Sequence, residues 1–251
     1  MVPAKVKPTL VLLHGWGYDS TCWPKAMLKW LGLSYDLVLL DLPAHGQDNW
    51  VVDGRNSIEQ LDEWIVATKE LLPNQYHLMG WSLGAQIAIR MAYNDSCVQR
   101  LMLMAVNPKF ITSHDWPSAM SSELLVMFEQ GYPTHANKTL RRFASLQAQG
   151  SATTKTATAQ MIQLMAVQPQ KIFGLKLLQQ LDERTHLCQL SQPCFIELAQ
   201  DDELVPSDWV NDLPLTNNIE IHYLVGGHGY LLEQDGISTQ MANYINVGVD
   251  K

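Results

Sequence analysis

Tyr76-His77-Leu78-Met79-Gly80-Trp81-Ser82-Leu83-Gly84-Ala85 is the stretch on which the fold of this chain turns. An apolar run from Tyr76 to Met79 meets Gly80-Trp81-Ser82-Leu83-Gly84 and passes directly into a helical segment, Ala85 to Ala92. Strand, tight turn and helix in that order form a Gly-x-Ser-x-Gly elbow. Its glycines let the backbone turn without Cβ clashes, so that the Ser82 hydroxyl stands clear of the sheet at a helix N-terminus. The other reading is a Gly-rich strand-to-helix turn whose serine is inert.

Serine is a weak nucleophile unless a base takes its proton, so a catalytic elbow requires a base and an orienting acid later in the chain. Asp201-Asp202-Glu203-Leu204-Val205-Pro206 follows the apolar run ending at Ala199, and Gly226-Gly227-His228-Gly229 follows the run ending at Val225. Strand ends on one edge of a parallel sheet converge, so Ser82, Asp202 and His228 can meet although they are far apart in sequence. Asp201 competes with Asp202 for the acid role. Six other histidines, His45, His77, His114, His135, His186 and His222, lack this setting and are expected on the surface or in the core.

Working outward, short apolar runs recur at Thr9 to Leu13, Asp36 to Leu42, Tyr76 to Gly80, Leu101 to Val106, Cys194 to Ala199 and Ile219 to Val225. Near-continuous hydrophobicity suits strands buried on both faces, and helical periodicity lies between several of them. The expected class is α/β, with a mostly parallel sheet flanked by helices. Between Val106 and Cys194 the chain is far longer than a single crossover, which predicts an inserted helical cap. Residues 1–110 and 185–251 would then form the core and 111–184 the cap.

Within the cap, the pattern predicts one helix from Asn137 to Gln149, capped by Asn137, stopped by Gly150, with Leu140, Phe143 and Ala144 on one side. A second is expected from about Thr154 through Met165. The window Gly131 to Leu181 contains Lys138, Arg141, Arg142, Lys155, Lys171 and Lys176 and no acidic residue, whereas the whole chain carries −8. Lys138, Arg141 and Arg142 fall on one helical face. An anionic partner for the cap is the pointed reading, and a merely solvated basic face is the plain one.

Composition narrows the field further. With 251 residues and 47% hydrophobic content the chain can bury one sizeable core without a metal or disulfide. An acidic balance argues against a nucleic-acid-binding surface. The four cysteines, Cys22, Cys97, Cys188 and Cys194, make no Cys-x-x-Cys pair and are expected reduced and buried. Walker and dinucleotide loops and zinc-helix motifs are missing from the sequence, so neither a metal nor a cofactor is expected. The N-terminal apolar run is too short for a signal or membrane segment, and a cytoplasmic monomer without a membrane partner is expected.

After the first strand comes His14-Gly15-Trp16-Gly17. This turn can bring the backbone N–H of Trp16 to the nucleophile, where with the N–H of Leu83 it would form an oxyanion hole. Such a donor is worth about 3 kcal/mol in the transition state. His14 itself reads as structural, and the Trp16 ring as an apolar wall or simply core.

The serine elbow, Asp202-x-x-Val205-Pro206 and the late His228 resemble the α/β-hydrolase superfamily over nearly the whole chain. More narrowly, His14-Gly15-Trp16-Gly17, the elbow, Asn107-Pro108-Lys109-Phe110, Asp115-Trp116-Pro117 and Arg142-Phe143-Ala144-Ser145-Leu146-Gln147 resemble the pimeloyl-acyl-carrier-protein methyl ester esterases of biotin synthesis. That resemblance implies hydrolysis of a methyl ester at the far end of a pimeloyl chain carried by acyl carrier protein. It implies a carrier-binding role for Lys138, Arg142 and Lys155, and substrate contact or polarisation by Trp16, Leu83 and Phe143. Two departures stand out: Ala159 replaces an expected basic residue, and Asp41-Leu42-Pro43-Ala44-His45-Gly46 lacks the first glycine usual after the second strand. The alternatives are a short-chain esterase, a thioesterase or menaquinone-pathway-type lyase on the same triad, or a noncatalytic small-molecule binding module.

Overall fold

The computed structural model describes residues 6–233 and 238–249. Six strands, β1 (Thr9–Leu13), β2 (Asp36–Leu40), β3 (Tyr76–Trp81), β4 (Val98–Met104), β5 (Cys194–Ala199) and β6 (Ile219–Leu224), form one parallel sheet in the order β2-β1-β3-β4-β5-β6. Every residue of β3 and β5 is buried, whereas the edge strands β2 and β6 keep exposed positions. Continuous apolar runs therefore end up inside because both faces of the inner strands are covered. Along β1, Val11 and Leu13 join the core on one face while Leu10 and Leu12 join that on the other.

Three helices, α1 (Lys25–Ser34), α2 (Ser57–Lys69) and α3 (Leu83–Ala92), connect the first four strands. Between β4 and β5 come α4 (Ser122–Gln147), α5 (Thr154–Leu164), α6 (Ile172–Gln180) and the short α7 (Arg184–Cys188); α8 (Tyr230–Glu233) and α9 (Thr239–Val249) follow β6. α4 packs on α5 and α6, α5 on α8, and α6 also on α2 and α3. β1 and β3 are neighbours although β2 intervenes in sequence, so the strand order reverses between them. In open parallel sheets the loops leaving such a pair of strands form a crevice at the carboxyl edge. The loop after β1 carries Trp16 and the loop after β3 carries Ser82.

Several expectations need correction. The cap helix does not begin at Asn137. α4 starts at Ser122, and its regular course breaks at His135 (φ −137°, ψ 44°), two residues after Pro133. Pro133 lacks an N–H and its ring crowds the turn before it, which weakens the helix next to the break at His135, and Asn137 falls inside the second half of the helix. Cys22 and Cys194 are buried, but Cys97 and Cys188 are only half-buried; all four are free thiols. Lys171 is not part of a solvated basic face, because it is wholly buried.

Candidate active site

The elbow owes its shape to close packing at both glycines. A Cβ on Gly84 would stand 2.2 Å from the Leu13 carbonyl oxygen, and one on Gly80 would stand 2.5 Å from that of Gly84. No side chain fits at either point, which lets α3 start against the end of β1. The backbone strain sits on Ser82 itself, at φ 56° and ψ −119°. Such a conformation costs about 1 to 3 kcal/mol for a residue with a Cβ, and neighbouring contacts must hold it. Here the Ser82 N–H donates to the Met104 carbonyl in β4, and its carbonyl accepts from the Ala85 and Gln86 N–H groups.

Ser82 Oγ lies 2.9 Å from His228 Nε2, and His228 Nδ1 lies 2.8 Å from an Asp202 carboxylate oxygen. With Nδ1–H donating to the carboxylate, Nε2 presents its lone pair to the serine hydroxyl. The second oxygen of Asp202 accepts from the backbone N–H groups of Leu204 and Val205, each at 2.8 Å. The Asp-x-x-Val-Pro turn thus folds back on its own carboxylate and fixes its direction. Asp201, the competing acid, is exposed. Ser82, Asp202 and His228 are all buried, with His228 fully so.

Leu83 is the first residue of α3, so its N–H is among those that a helix start leaves without an intrahelical acceptor. Gly15 lies against the elbow, where a Cβ would be 3.4 Å from that of Ser82, so the loop carrying Trp16 borders the serine. The Trp16 ring is wholly buried, edge-on to Phe143 (4.7 Å between centroids) and to Tyr132 (5.7 Å). Phe143 is buried as well and meets Phe128 at 5.7 Å. Trp16, Leu83 and Phe143 are thereby gathered at one end of the sheet, with α4 supplying Phe143.

His14 is structural, as expected. Its Nδ1–H donates to the Gly15 carbonyl (2.9 Å), its Nε2 accepts from the Leu42 N–H (3.0 Å), and burial lowers its pKa to about 4. Asn107 also organises the backbone: its side chain donates to the Ser118 carbonyl and accepts from Trp116 Nε1. The basic residues divide. Lys138, Arg141, Arg142 and Lys155 are exposed and have no ion-pair partner among the described residues, and Arg142 lies over the Phe128 ring. Lys138 and Arg142 line a cavity of about 210 Å³ at the kink of α4, together with Met127, Phe128, His135 and Thr139.

Sequence reasoning missed two supports of the site. Trp81 Nε1 donates to the His228 carbonyl (3.2 Å), which ties the residue before the serine to the histidine loop. Gln147 accepts from the Tyr18 hydroxyl through its side chain (2.6 Å) and from the Gly229 N–H through its backbone (3.1 Å), so α4 is pinned to both loops. Gln147 falls on the buried stripe of Leu140, Phe143 and Ala144, and a polar residue in an apolar stripe was the available signal.

Residues 10–238 match the model of the alpha/beta hydrolase family. A protein from Nitrosomonas europaea named pimeloyl-acyl-carrier-protein methyl ester esterase is 34% identical over 212 residues, covering 81% of this chain and 82% of the relative. One of the same name from Pseudoalteromonas atlantica is 32% identical over 205 residues, covering 79% and 78%. Among solved structures, an esterase from Exiguobacterium antarcticum superposes with a TM-score of 0.81 at 17% identity, covering 98% of this chain and 93% of that one. A bromoperoxidase from Bacillus anthracis gives 0.79 at 16%, covering 97% and 92%; at such identities the likeness speaks for the fold. The chain belongs to the α/β-hydrolase family and, within it, to the pimeloyl-acyl-carrier-protein methyl ester esterases.

Proposed function

We propose that this chain is a serine carboxylesterase that hydrolyses the methyl ester of pimeloyl-acyl-carrier protein to the free acid and methanol in biotin synthesis. The observation that carries the reading is the hydrogen-bonded chain from Ser82 Oγ through His228 to Asp202 at the strand edge where the elbow stands. Family membership supplies the ester class.

In this mechanism Ser82 Oγ attacks the ester carbonyl carbon while its proton passes to His228 Nε2. The Trp16 and Leu83 N–H groups receive the oxyanion. The carbon–methoxy bond then breaks, and His228 returns the proton to the leaving methanol. Water repeats the sequence against the acyl-serine, His228 again taking and returning a proton, which frees the carboxylic acid and Ser82. Asp202 keeps the imidazole in the required tautomer and stabilises it while charged.

Residues 111–184 act as a cap over this centre, with Phe143 and Trp16 as apolar walls for the acyl chain. Lys138, Arg142 and Lys155 supply positive charge toward an acidic carrier. The protein works as a cytoplasmic monomer. No helix among the described residues is long and apolar enough to cross a membrane. The deciding experiment incubates pimeloyl-acyl-carrier-protein methyl ester with wild type and with Ser82→Ala and follows methanol and free acid. Release by wild type alone supports the reading; turnover by Ser82→Ala, or none by folded wild type, refutes it.

A further inference from the structure

Lys171 is a charged residue that the mechanism leaves unused, yet it lies wholly buried in the short helical turn (Pro169–Lys171) between α5 and α6. Its Nζ donates to the Gly17 carbonyl at 2.8 Å and to the Ala166 carbonyl at 2.9 Å, and its own backbone carbonyl accepts from Trp16 Nε1 at 2.8 Å. One residue thus grips both the backbone and the side chain of the loop after β1. The Trp16 ring has little room to shift, because the Gly174 backbone of α6 packs on its edge: a Cβ on Gly174 would stand 2.6 Å from Trp16 Cδ1.

Among the described residues no carboxylate lies within ion-pairing distance of the Lys171 ammonium. A buried ammonium held by two neutral carbonyls destabilises the fold relative to an apolar side chain of similar size, so stability alone gives no reason for a lysine here. Its distinctive effect is on geometry. Charge-assisted hydrogen bonds are about twice as strong as neutral ones, and the one to Gly17 falls on the residue after Trp16 while the one to Ala166 anchors the ammonium on the other side.

We propose that Lys171 is a positioning residue for ester hydrolysis, clasping the Gly15–Gly17 loop so that the Trp16 N–H is aimed at the oxyanion. The inference rests on the serine-esterase reading above, in which that N–H stabilises the transition state. Loss of the clasp affects kcat rather than KM, because an oxyanion donor acts on charge that develops only in the transition state.

The clasp also has a pH signature. Burial lowers the Lys171 pKa from 10.5 to about 8, against the opposing pull of Asp19, Asp41 and Cys22. Of the other groups facing it, burial pushes the Cys22 thiol far up, and His14 and His45 are already neutral in this range because burial lowers both. Above about pH 8 the amine keeps its N–H donors but loses the charge that strengthens them.

The test measures kcat and KM for p-nitrophenyl butyrate from about pH 6 to about pH 9.5 in wild type, Lys171→Met and Ser82→Ala, with thermal melts of each. Wild-type kcat is expected to fall severalfold across about pH 8. Lys171→Met is expected to melt cooperatively, to show about tenfold lower kcat at neutral pH with KM changed less than about threefold, and to lack the alkaline limb. A folded Lys171→Met with wild-type kcat, or with the same alkaline limb, overturns the clasp. Should that variant not fold, the wild-type profile decides: a flat kcat through pH 9.5 overturns the proposal and a limb near pH 8 supports it. Turnover by Ser82→Ala would instead sink the serine-esterase reading itself.

Discussion

Trp81 Nε1 donates a hydrogen bond to the backbone carbonyl of His228 at 3.2 Å, so the residue that precedes Ser82 also holds the loop that carries His228. Both side chains are wholly buried, and their rings lie 5.9 Å apart. The contact joins the end of β3 to the loop after β6, which have no direct strand pairing.

Replacing Trp81 with Phe keeps an aromatic ring and removes the indole donor. The buried His228 carbonyl then lacks that partner, at a cost of about 1 to 3 kcal/mol in stability. Ester turnover should fall severalfold through kcat, because the imidazole is held less firmly toward Ser82. Urea unfolding and steady-state kinetics on a small ester check the two effects. Unchanged kcat in a folded variant would show that the Asp202 bond alone positions His228.

Ala44, in the turn after β2 where the resemblance leads glycine to be expected, has a φ of 66°. A residue with a Cβ pays about 1 to 2 kcal/mol for left-handed backbone, and glycine does not. The N–H of residue 44 donates to Asp48 whatever the side chain. Ala44→Gly should therefore gain up to about 1 kcal/mol net, after the greater freedom of glycine in the unfolded chain is counted. For a domain of this size that is a rise of about 2 to 4 °C in melting temperature. Calorimetry checks it, and a lower melting temperature would mean that the surrounding loop compensates for the alanine.

The sheet was legible because each strand is a self-contained apolar run; β1 and β5 begin and end where the pattern says. The Ser82, Asp202 and His228 constellation was legible because each follows a strand end, and the topology brings those ends together. Helix α4 was misread where Pro133 and His135 join two helical pieces that the apolar stripe separates. Lys171 was counted with Lys138 and Arg142 because charge counting carries no information on burial. Only the fold reveals that the Gly17 and Ala166 carbonyls wait for its ammonium. The Trp81 contact to His228 was likewise invisible, since it joins residues 147 positions apart through a backbone atom.

Three buried histidines, His14, His45 and His77, make the fold sensitive to acid, and burial, with Arg100 adding to it, lowers the His77 pKa from 6.5 to about 4. Burial lowers the His14 pKa from 6.5 to about 4, and it lowers His45 well below 6.5, with neighbouring His14 and Lys171 adding to the shift. Each imidazole stays neutral in the fold and takes up a proton once the chain unfolds, so acid favours the unfolded state. This stability is present in full above about pH 6.5 and is lost as pH falls toward 4. The slope is about 1.4 kcal/mol per pH unit for each fully linked proton. Urea unfolding at about pH 7, 6 and 5 should show the loss, and His14→Gln, which can still donate and accept, should remove part of it. An equal slope in that variant would place the linked protons elsewhere.

Arg142 offers a test that separates the proposed carrier docking from chemistry. It is exposed beside the α4 kink, 6.0 Å over the Phe128 ring, whereas Phe143 on the next position turns inward to Trp16. In the proposed function, adjacent helical residues thus face the carrier on one side and the acyl chain on the other. Arg142→Glu should raise KM for a carrier-bound methyl ester about tenfold or more and leave hydrolysis of a small free ester nearly unchanged, an effect that weakens as salt screens the charges. Ala159 is exposed on α5, one turn beyond Lys155, so Ala159→Lys extends the same positive charge and should lower that KM about twofold without altering the small ester. Equal loss on both substrates in Arg142→Glu would mean that the substitution disturbs Phe143 and the acyl wall, and no effect on the carrier-bound ester would remove Arg142 from the docking surface.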